Sequence, residues 1–215
     1  MPRQFGIPEE IIHDVMSWKI RPSAYSDHMT LLHDKHVIGI NNTYQIGTWL
    51  DMLFFGDSSW YLVHRQALAK WPGIKVSCSP RFAHRQGKDM EGVRYTPKDK
   101  KKRHGISTTP DCVSWNGNSG AAAISLAVHL GVKRIALLGF DMDLDSTKMS
   151  HWHGAHNKPT TILKKKTPPF TRHIMGFGPI AEDAQRLGVE ILNISSNSKI
   201  TQFKKVTLDE VLANS

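Results

Sequence analysis

The sequence lacks the features that mark several large classes of protein. Only two cysteines, Cys78 and Cys112, occur in 215 residues, which excludes a disulfide framework and is typical of a reducing cytoplasm. No apolar run approaches the roughly 20 residues of a membrane-spanning helix, so we expect no membrane partner. The start, MPRQFGIPEE, has no apolar core behind a basic end, so we expect no secretion signal. No period of about 20–50 residues recurs, which excludes a repeat protein.

The charge of the chain is strongly basic. It has 28 Lys and Arg residues against 19 Asp and Glu residues, a formal net charge of +9, which favours polyanionic partners or anionic substrates. Two turn-rich basic runs, 97–105 and 163–169, are predicted to be exposed loops that are either solvated or hold an anion. The length and the ordinary apolar content predict one domain, 1–215, of a cytoplasmic globular protein.

Five short apolar runs predict buried strands. Most of them are too continuous for strands with one wet face, so the predicted sheet is covered on both faces. The runs are His36–Asn41, Asp51–Gly56, Ile74–Ser79, Arg134–Phe140 and Val189–Ile194.

Helical patterns lie between these strands. GAAAISLAVHLG follows a small polar turn and ends at Gly131, and GPIAEDAQRLG begins with proline and ends at Gly188; both are helix patterns. Each helix leads into a strand within two or three residues. This alternation predicts an α/β fold with a doubly wound, mostly parallel, Rossmann-like sheet and helices on both faces.

In such sheets ligands bind beyond the carboxyl ends of the strands. The candidate segments there are NNTY after the first strand, GDSSW after the second and DMDLD after the fourth. The turn NGNSG, 116–120, opens a helix, and free backbone N–H groups at a helix start suit phosphate. Such a turn can equally cap a helix that holds no ligand.

Five segments occur in a fixed order along the chain: INNTY, FFGDSSW, GNSGAAAISLAVHLGVKRIALLGFDM, SHWHGAHNK and SSNSKITQF. Together they resemble the single-domain bacterial sialyltransferases and the related hydroxymethylpterin pyrophosphokinase-like proteins of archaea, bacteria and tailed phages. The resemblance covers about Pro22 to Leu212. It implies a nucleotide-activated donor, a CMP- or UDP-sugar, as the substrate.

The resemblance also implies which residues form the nucleotide site. Asn41 stands where a sialyltransferase asparagine contacts the CMP part of the donor, and Asp57 or Ser58 stands at a second nucleotide contact. Combined with the strand-end and turn arguments, the predicted nucleotide-binding residues are Asn41, Asn42, Asp57, Ser58, Asn118, Ser119, Gly120, Gly139, Phe140 and Asp141.

The histidine-rich run SHWHGAH matches the family segment that carries the catalytic base. His156 is the best match, and a one-residue offset leaves His153 as the alternative. Transfer to a hydroxyl requires a base that removes its proton, and imidazole titrates near working pH. His151 is expected to fix the loop, and Trp152 to anchor it.

A metal site is the alternative reading of this region. Asp141 and Asp143, spaced by one residue after a strand, resemble the Asp-x-Asp motif of many nucleotide-sugar transferases. The sialyltransferase-type family needs no metal, so we expect no obligatory ion; a site at these aspartates would hold Mg or Mn.

One segment departs from the family pattern. Relatives begin with a strand that runs into a GxGPS turn, whereas this chain reads SWKIRPSAYS, with Ile20 and Arg21 in place of the glycines. Arg21 either meets a phosphate by charge or fills the pocket. A non-catalytic descendant therefore stays an open alternative.

The leading hypothesis is a sugar transferase in which His156 deprotonates the acceptor hydroxyl. Lys164 and Lys165 of the second basic loop would contact phosphate or an anionic acceptor, possibly modified DNA. Two alternatives stay open: ATP- and metal-dependent pyrophosphoryl transfer to a pterin-like hydroxyl, and a non-catalytic nucleotide- or nucleic-acid-binding protein. The sequence predicts no oligomeric state.

Overall fold

The structure is a computed structural model that describes residues 2–83, 92–143 and 170–213. The strands of this part of the chain are β1 (Ile38–Ile40), β2 (Met52–Phe55), β3 (Ile74–Ser77), β4 (Val93–Tyr95), β5 (Arg134–Leu137), β6 (Glu190–Asn193) and β7 (Lys204–Lys205). The α-helices are α1 (Glu9–Met16), α2 (Ser58–Lys70), α3 (Ser119–His129), α4 (Phe170–Ile174), α5 (Phe177–Leu187) and α6 (Leu208–Leu212). None of these helices is long and apolar enough to cross a membrane.

The first sheet has the order β1-β2-β3-β4, and all its strands are parallel. Successive side chains of β2 point to opposite faces. Leu53 and Phe55 pack with Tyr61 and Leu68 of α2, whereas Phe54 packs on α3. Helices therefore cover both faces of this sheet, which explains why its central strand reads as an unbroken apolar run.

The second sheet has the order β5-β6-β7 and is also parallel. Its core forms where Leu137 of β5 and Ile191 of β6 meet Phe177 and Ile180 of α5. These four side chains are almost completely buried. The predicted helix over the GPIAEDAQRLG pattern is α5, and it ends just before Gly188 as expected.

Helix α3 joins the two halves of the molecule. Ala122 and Ala123 pack on the first sheet, and Ala121 and Ile124 pack in the core of the second sheet. Small side chains on this helix permit close approach on both sides. The alanine-rich pattern that predicted a helix thus produces the central packing element of the fold.

The two sheets point the same way. At the start of α3 the Ser119 hydroxyl accepts a hydrogen bond from the Gly56 N–H, 3.2 Å away, just beyond β2. The neighbouring Gly120 lies against Phe140, just beyond β5. Because one helix end touches the carboxyl ends of strands from both sheets, those ends lie on one side of the molecule.

The five predicted strands and the α/β class with parallel strands are confirmed, whereas β4 and the two-residue β7 were not predicted. The described residues form two sheets and not the single continuous sheet that was expected. Strands β1 and β5 are the facing edges of these sheets.

Candidate functional site

A deep cleft of about 2410 Å³ separates β1 from β5 and opens at the carboxyl ends of the strands. Its wall brings together most of the predicted site residues, although they come from three separate parts of the chain. Those on the wall are Asn41, Asn42, Asn118, Ser119, Gly120, Gly139, Phe140, Asp141 and Asp143.

Asn41 is the residue on this wall whose geometry most demands a ligand. It has a left-handed backbone, φ 50°, in which a non-glycine residue is strained. Its side-chain oxygen is buried, yet has no hydrogen-bond partner among the described residues. A strained residue with an unsatisfied buried acceptor is typical of a position maintained for binding.

Asn42 lies beside an aromatic group that the sequence analysis did not select. The buried Asn42 side-chain oxygen accepts a hydrogen bond of 2.6 Å from Nε1 of Trp60. The Trp60 ring stacks on His64 with 4.5 Å between ring centroids, and Trp60 is on the cleft wall. The signal was an aromatic in the first turn of the helix after β2.

The NGNSG turn divides its labour among its residues. Asn116 is fully buried, and its amide bonds both the N–H and the carbonyl of Gly105 and the carbonyl of Ser114. Asn118 is the N-cap of α3, accepting from the Ala121 N–H at 2.8 Å. Asn116 and Asn118 therefore hold the turn in place.

The start of α3 faces the cleft with open donors. The backbone N–H groups of Ser119 and Gly120 have no partner among the described residues, as expected for the first turn of a helix. The positive end of the helix dipole points the same way. This combination attracts phosphate or another anion.

The carboxyl end of β5 is held by the segment that follows β6. Gly139 has φ 76°, which a side chain would disfavour. Its N–H donates to the Ser195 hydroxyl at 3.0 Å, and the Phe140 carbonyl accepts from the Ser198 hydroxyl at 2.6 Å. Gly139 thus shapes the wall, but its amide is already used.

The predicted metal aspartates have other partners. Lys199 donates its backbone N–H to the Asp141 carbonyl at 2.9 Å, and its ammonium lies 3.3 Å from the Asp143 carboxylate. No cluster of three metal-ligating side chains occurs within residues 2–83, 92–143 and 170–213. Lys199 itself is on the cleft wall and adds a positive charge there.

His173 is a second cleft residue that sequence reasoning missed. It follows the basic run 163–169, and its carbonyl accepts from the Asn118 amide at 3.2 Å. Its side chain is half-buried; burial, and to a lesser degree the nearby Arg172 charge, lowers the pKa of His173 below the usual 6.5. A neutral imidazole therefore lies at the start of α3 at neutral pH.

Three predicted residues are not on the cleft wall. Asp57 caps α2 by accepting from the Ser59 N–H at 2.7 Å, and Ser58 is the first residue of that helix. Arg21 is exposed and precedes a short 3-10 helix, so it does not plug the cleft. For Asp57 the strand-end position was predicted correctly, but the carboxylate is used in helix capping.

The first basic loop, 97–105, is ordered away from the cleft. The Lys98 ammonium lies 4.0 Å from the centroid of the Trp115 ring, and Lys102 pairs with the buried Asp183 at 2.6 Å. Asp99 accepts from the Ser107 hydroxyl at 2.6 Å. Two of the cations expected to meet phosphate are therefore structural, because they balance buried or aromatic partners.

The remaining predictions fall outside the described residues. These are the histidines of the SHWHGAH run, His151, His153 and His156, together with Trp152, Lys164 and Lys165. The base and acceptor roles assigned to them stay predictions.

The cleft can therefore accept a ligand with a flat ring and an anionic group. Trp60 offers a ring face, Asn41 an unsatisfied acceptor, and the start of α3 a phosphate-sized positive end. The chain matches no protein-family model, no curated protein and no solved structure. No family is thereby shown for it, and its function has to be argued from the cleft.

Proposed function

We propose that the protein binds a nucleotide in the cleft at the carboxyl ends of the strands and transfers a group from it, as a glycosyltransferase-like enzyme. The observation that carries the proposal is the convergence of Asn41, Ser119 and Gly139 on one cleft from distant parts of the sequence. Ligands of parallel α/β folds bind at this edge.

The donor is proposed to lie with its base near Asn41 and Trp60 and its phosphate at the start of α3. The orphan oxygen of Asn41 then accepts from an amino group of the base, which removes the cost of an unsatisfied buried acceptor. The phosphate meets the open N–H groups of Ser119 and Gly120. Lys199 contributes further positive charge on the same wall.

The chemical step is proposed to be transfer of a sugar to a hydroxyl acceptor. His156 removes the hydroxyl proton as the new bond forms at the sugar, and the nucleotide leaves as its phosphate. His173, a neutral imidazole on the cleft wall, is the competing candidate for this base. The basic surface of the chain favours an anionic acceptor such as modified DNA.

The test is hydrolysis and transfer with CMP- and UDP-sugars, comparing wild type with His156→Ala and His173→Gln. Loss of a general base lowers turnover by about 10²–10⁴-fold, and we expect this loss in His156→Ala with unchanged nucleotide affinity. Unchanged turnover in His156→Ala, with the loss in His173→Gln, transfers the base role to His173.

A calorimetric screen of CMP, UDP, GDP, ATP and short DNA separates the alternatives. ATP binding that requires Mg and is lost on Asp141→Asn supports pyrophosphoryl transfer to a pterin-like hydroxyl. Nucleotide or DNA binding that falls steeply with salt, with no product from any donor, supports a non-catalytic binding protein. No binding of any nucleotide contradicts the proposed function in all its forms.

A further inference from the structure

The cleft continues below the nucleotide-binding residues as a slot between two strand edges. All residues of β1 and all residues of β5 line it, and each strand is the edge of its own sheet. Among the described residues, no strand pairs with the slot side of either edge. The slot is therefore bordered by main chain on both sides.

The backbone of both edges points hydrogen-bonding groups into the slot. In a parallel ladder alternate residues face alternate neighbours. The Met52 N–H donates to the Val37 carbonyl at 3.2 Å, so the N–H and carbonyl of Ile38 face away from β2. The Ile194 N–H donates to the Leu137 carbonyl at 3.0 Å, so those of Ala136 face away from β6.

The other two walls of the slot are apolar. On one side Ala123 and Ala127 of α3 present small side chains, and on the other side α1 presents Ile12. A covered layer above and below an edge is the environment of a central strand, whose two faces are both packed. Unpaired backbone groups between apolar walls are costly, about 1–3 kcal/mol for each group that is left without a partner.

The size of the cleft also exceeds the need of a nucleotide. Small-molecule sites are commonly about 300–1000 Å³, whereas this cleft has about 2410 Å³. The polar residues lie at its carboxyl end, and the part between β1 and β5 is bordered by apolar side chains such as Ile38 and Ile135. A second, apolar occupant fits this remainder.

We propose that the slot receives an extended strand of about five apolar residues from a separate polypeptide. Because β1 and β5 point the same way, the strand runs parallel to both and pairs with both edges. The two sheets then become one continuous parallel sheet, β4-β3-β2-β1-strand-β5-β6-β7. Valine- or isoleucine-sized side chains fill the space over Ala123 and Ala127, and a charged residue there is excluded by the apolar walls.

The inserted strand would also complete the nucleotide site. Its carboxyl end emerges between Asn41 and Gly139, at the centre of the polar wall. The slot proposal stands independently of nucleotide chemistry, because its evidence is the edge geometry and the apolar walls.

The test uses the acetylated, amidated peptide Lys-Val-Ile-Val-Ile-Val-Lys as a probe and hydrogen exchange of individual amides as the readout. We expect saturable binding and at least 100-fold slower exchange at Ile38 and Ala136. The matched control is the same peptide N-methylated at alternate residues, which keeps the side chains and removes the donors. This control peptide should leave both amides unprotected.

Two protein variants test the same contact from the other side. Ala136→Pro removes an N–H that faces the slot and leaves the pairing of Ile135 and Leu137 with β6 intact; we expect at least 10-fold weaker peptide binding. Ala136→Val keeps the N–H and should bind as wild type does. Ala127→Trp fills the slot and should abolish binding while circular dichroism stays native.

Three outcomes overturn the proposal. Protection of both amides in the peptide-free chain, together with a dimer in solution, assigns the slot to a second copy. The same protection in a monomer assigns it to this chain itself. Absence of peptide binding by a chain that binds nucleotide shows that the slot is no docking site, while the proposed function survives.

Discussion

The ring of Phe140 lies so close to Gly120 that a Cβ atom on residue 120 would stand 2.8 Å from Cε1 of that ring. Real Cβ atoms essentially never make so short a contact. This contact joins the start of α3 to the end of β5 and so fixes one side of the cleft. Glycine at position 120 is required by close packing.

Gly120→Ala should therefore destabilise the protein, although alanine is the better helix former. Alanine gains about 1 kcal/mol of helix propensity, but overpacking costs about 1–3 kcal/mol, so we expect a net loss. Urea unfolding measures it, and Phe140→Leu should restore part of the loss in the double variant. Gly178→Ala is the matched control, because nothing lies within 4 Å of a Cβ at that helical position; it should stabilise. Equal effects of the two alanines would contradict the packing argument.

Asn41→Gly should separate stability from binding. Glycine adopts φ 50° without strain and removes the orphan oxygen, so we expect unchanged or slightly higher thermal stability. Nucleotide affinity should fall at least 10-fold because the acceptor is lost. Asp111→Gly relaxes a similar left-handed residue, φ 59°, that is exposed and not on the cleft wall. Calorimetry should show no loss of affinity in that control.

Asp99 should make stability fall in acid. A hydrogen bond from the Ser107 hydroxyl, supported by Thr109 and two backbone N–H groups, lowers the pKa of Asp99 from 3.8 to about 2 against the effect of burial. The folded pKa is the lower one, so the carboxylate stabilises the fold fully above pH 3.8, and this contribution is lost as the pH falls toward 2.

In Asp99→Asn we expect about 1–3 kcal/mol less stability at neutral pH, since a buried hydrogen-bond network is broken. The variant should also lose less stability than wild type between pH 4 and about 2. Urea unfolding at several pH values measures both effects, with Asp27→Asn at an exposed site as the control. Parallel pH curves for wild type and Asp99→Asn would refute the assignment.

His173 should make nucleotide binding depend on pH. Its pKa lies below 6.5, so it becomes positively charged only as the pH falls below that value, next to the proposed phosphate position. We expect the affinity of wild type, relative to that of His173→Gln, to rise a few-fold below pH 6.5. The exposed His129→Gln should behave like wild type. A constant affinity ratio across this range would place His173 away from the bound phosphate.

The sequence predicted the elements better than their assembly. Strands β2, β3 and β6 and helices α3 and α5 follow from continuous apolar runs and clear helix ends, which are local signals. The break between β1 and β5 and the short pairing of β7 depend on which strands meet in space, and no local pattern encodes that.

The same distinction holds for the candidate site. Asn41, Ser119 and Gly139 were found because strand ends and helix starts are visible in the sequence. Asp57 was misjudged because capping and ligand binding use the same carboxylate at the same kind of position. Trp60 and His173 were missed because their place on the cleft wall depends on packing between distant segments.

The most direct test of the central claim is an NMR titration of the ¹⁵N-labelled protein with CMP, following individual backbone amides. The account predicts saturable shifts centred on Asn42, Ser119, Gly120 and Gly139, with little change at Asp57 or in the loop 97–105. Shifts centred elsewhere on the molecule, or none at millimolar CMP, would contradict the claim that the cleft is a nucleotide site.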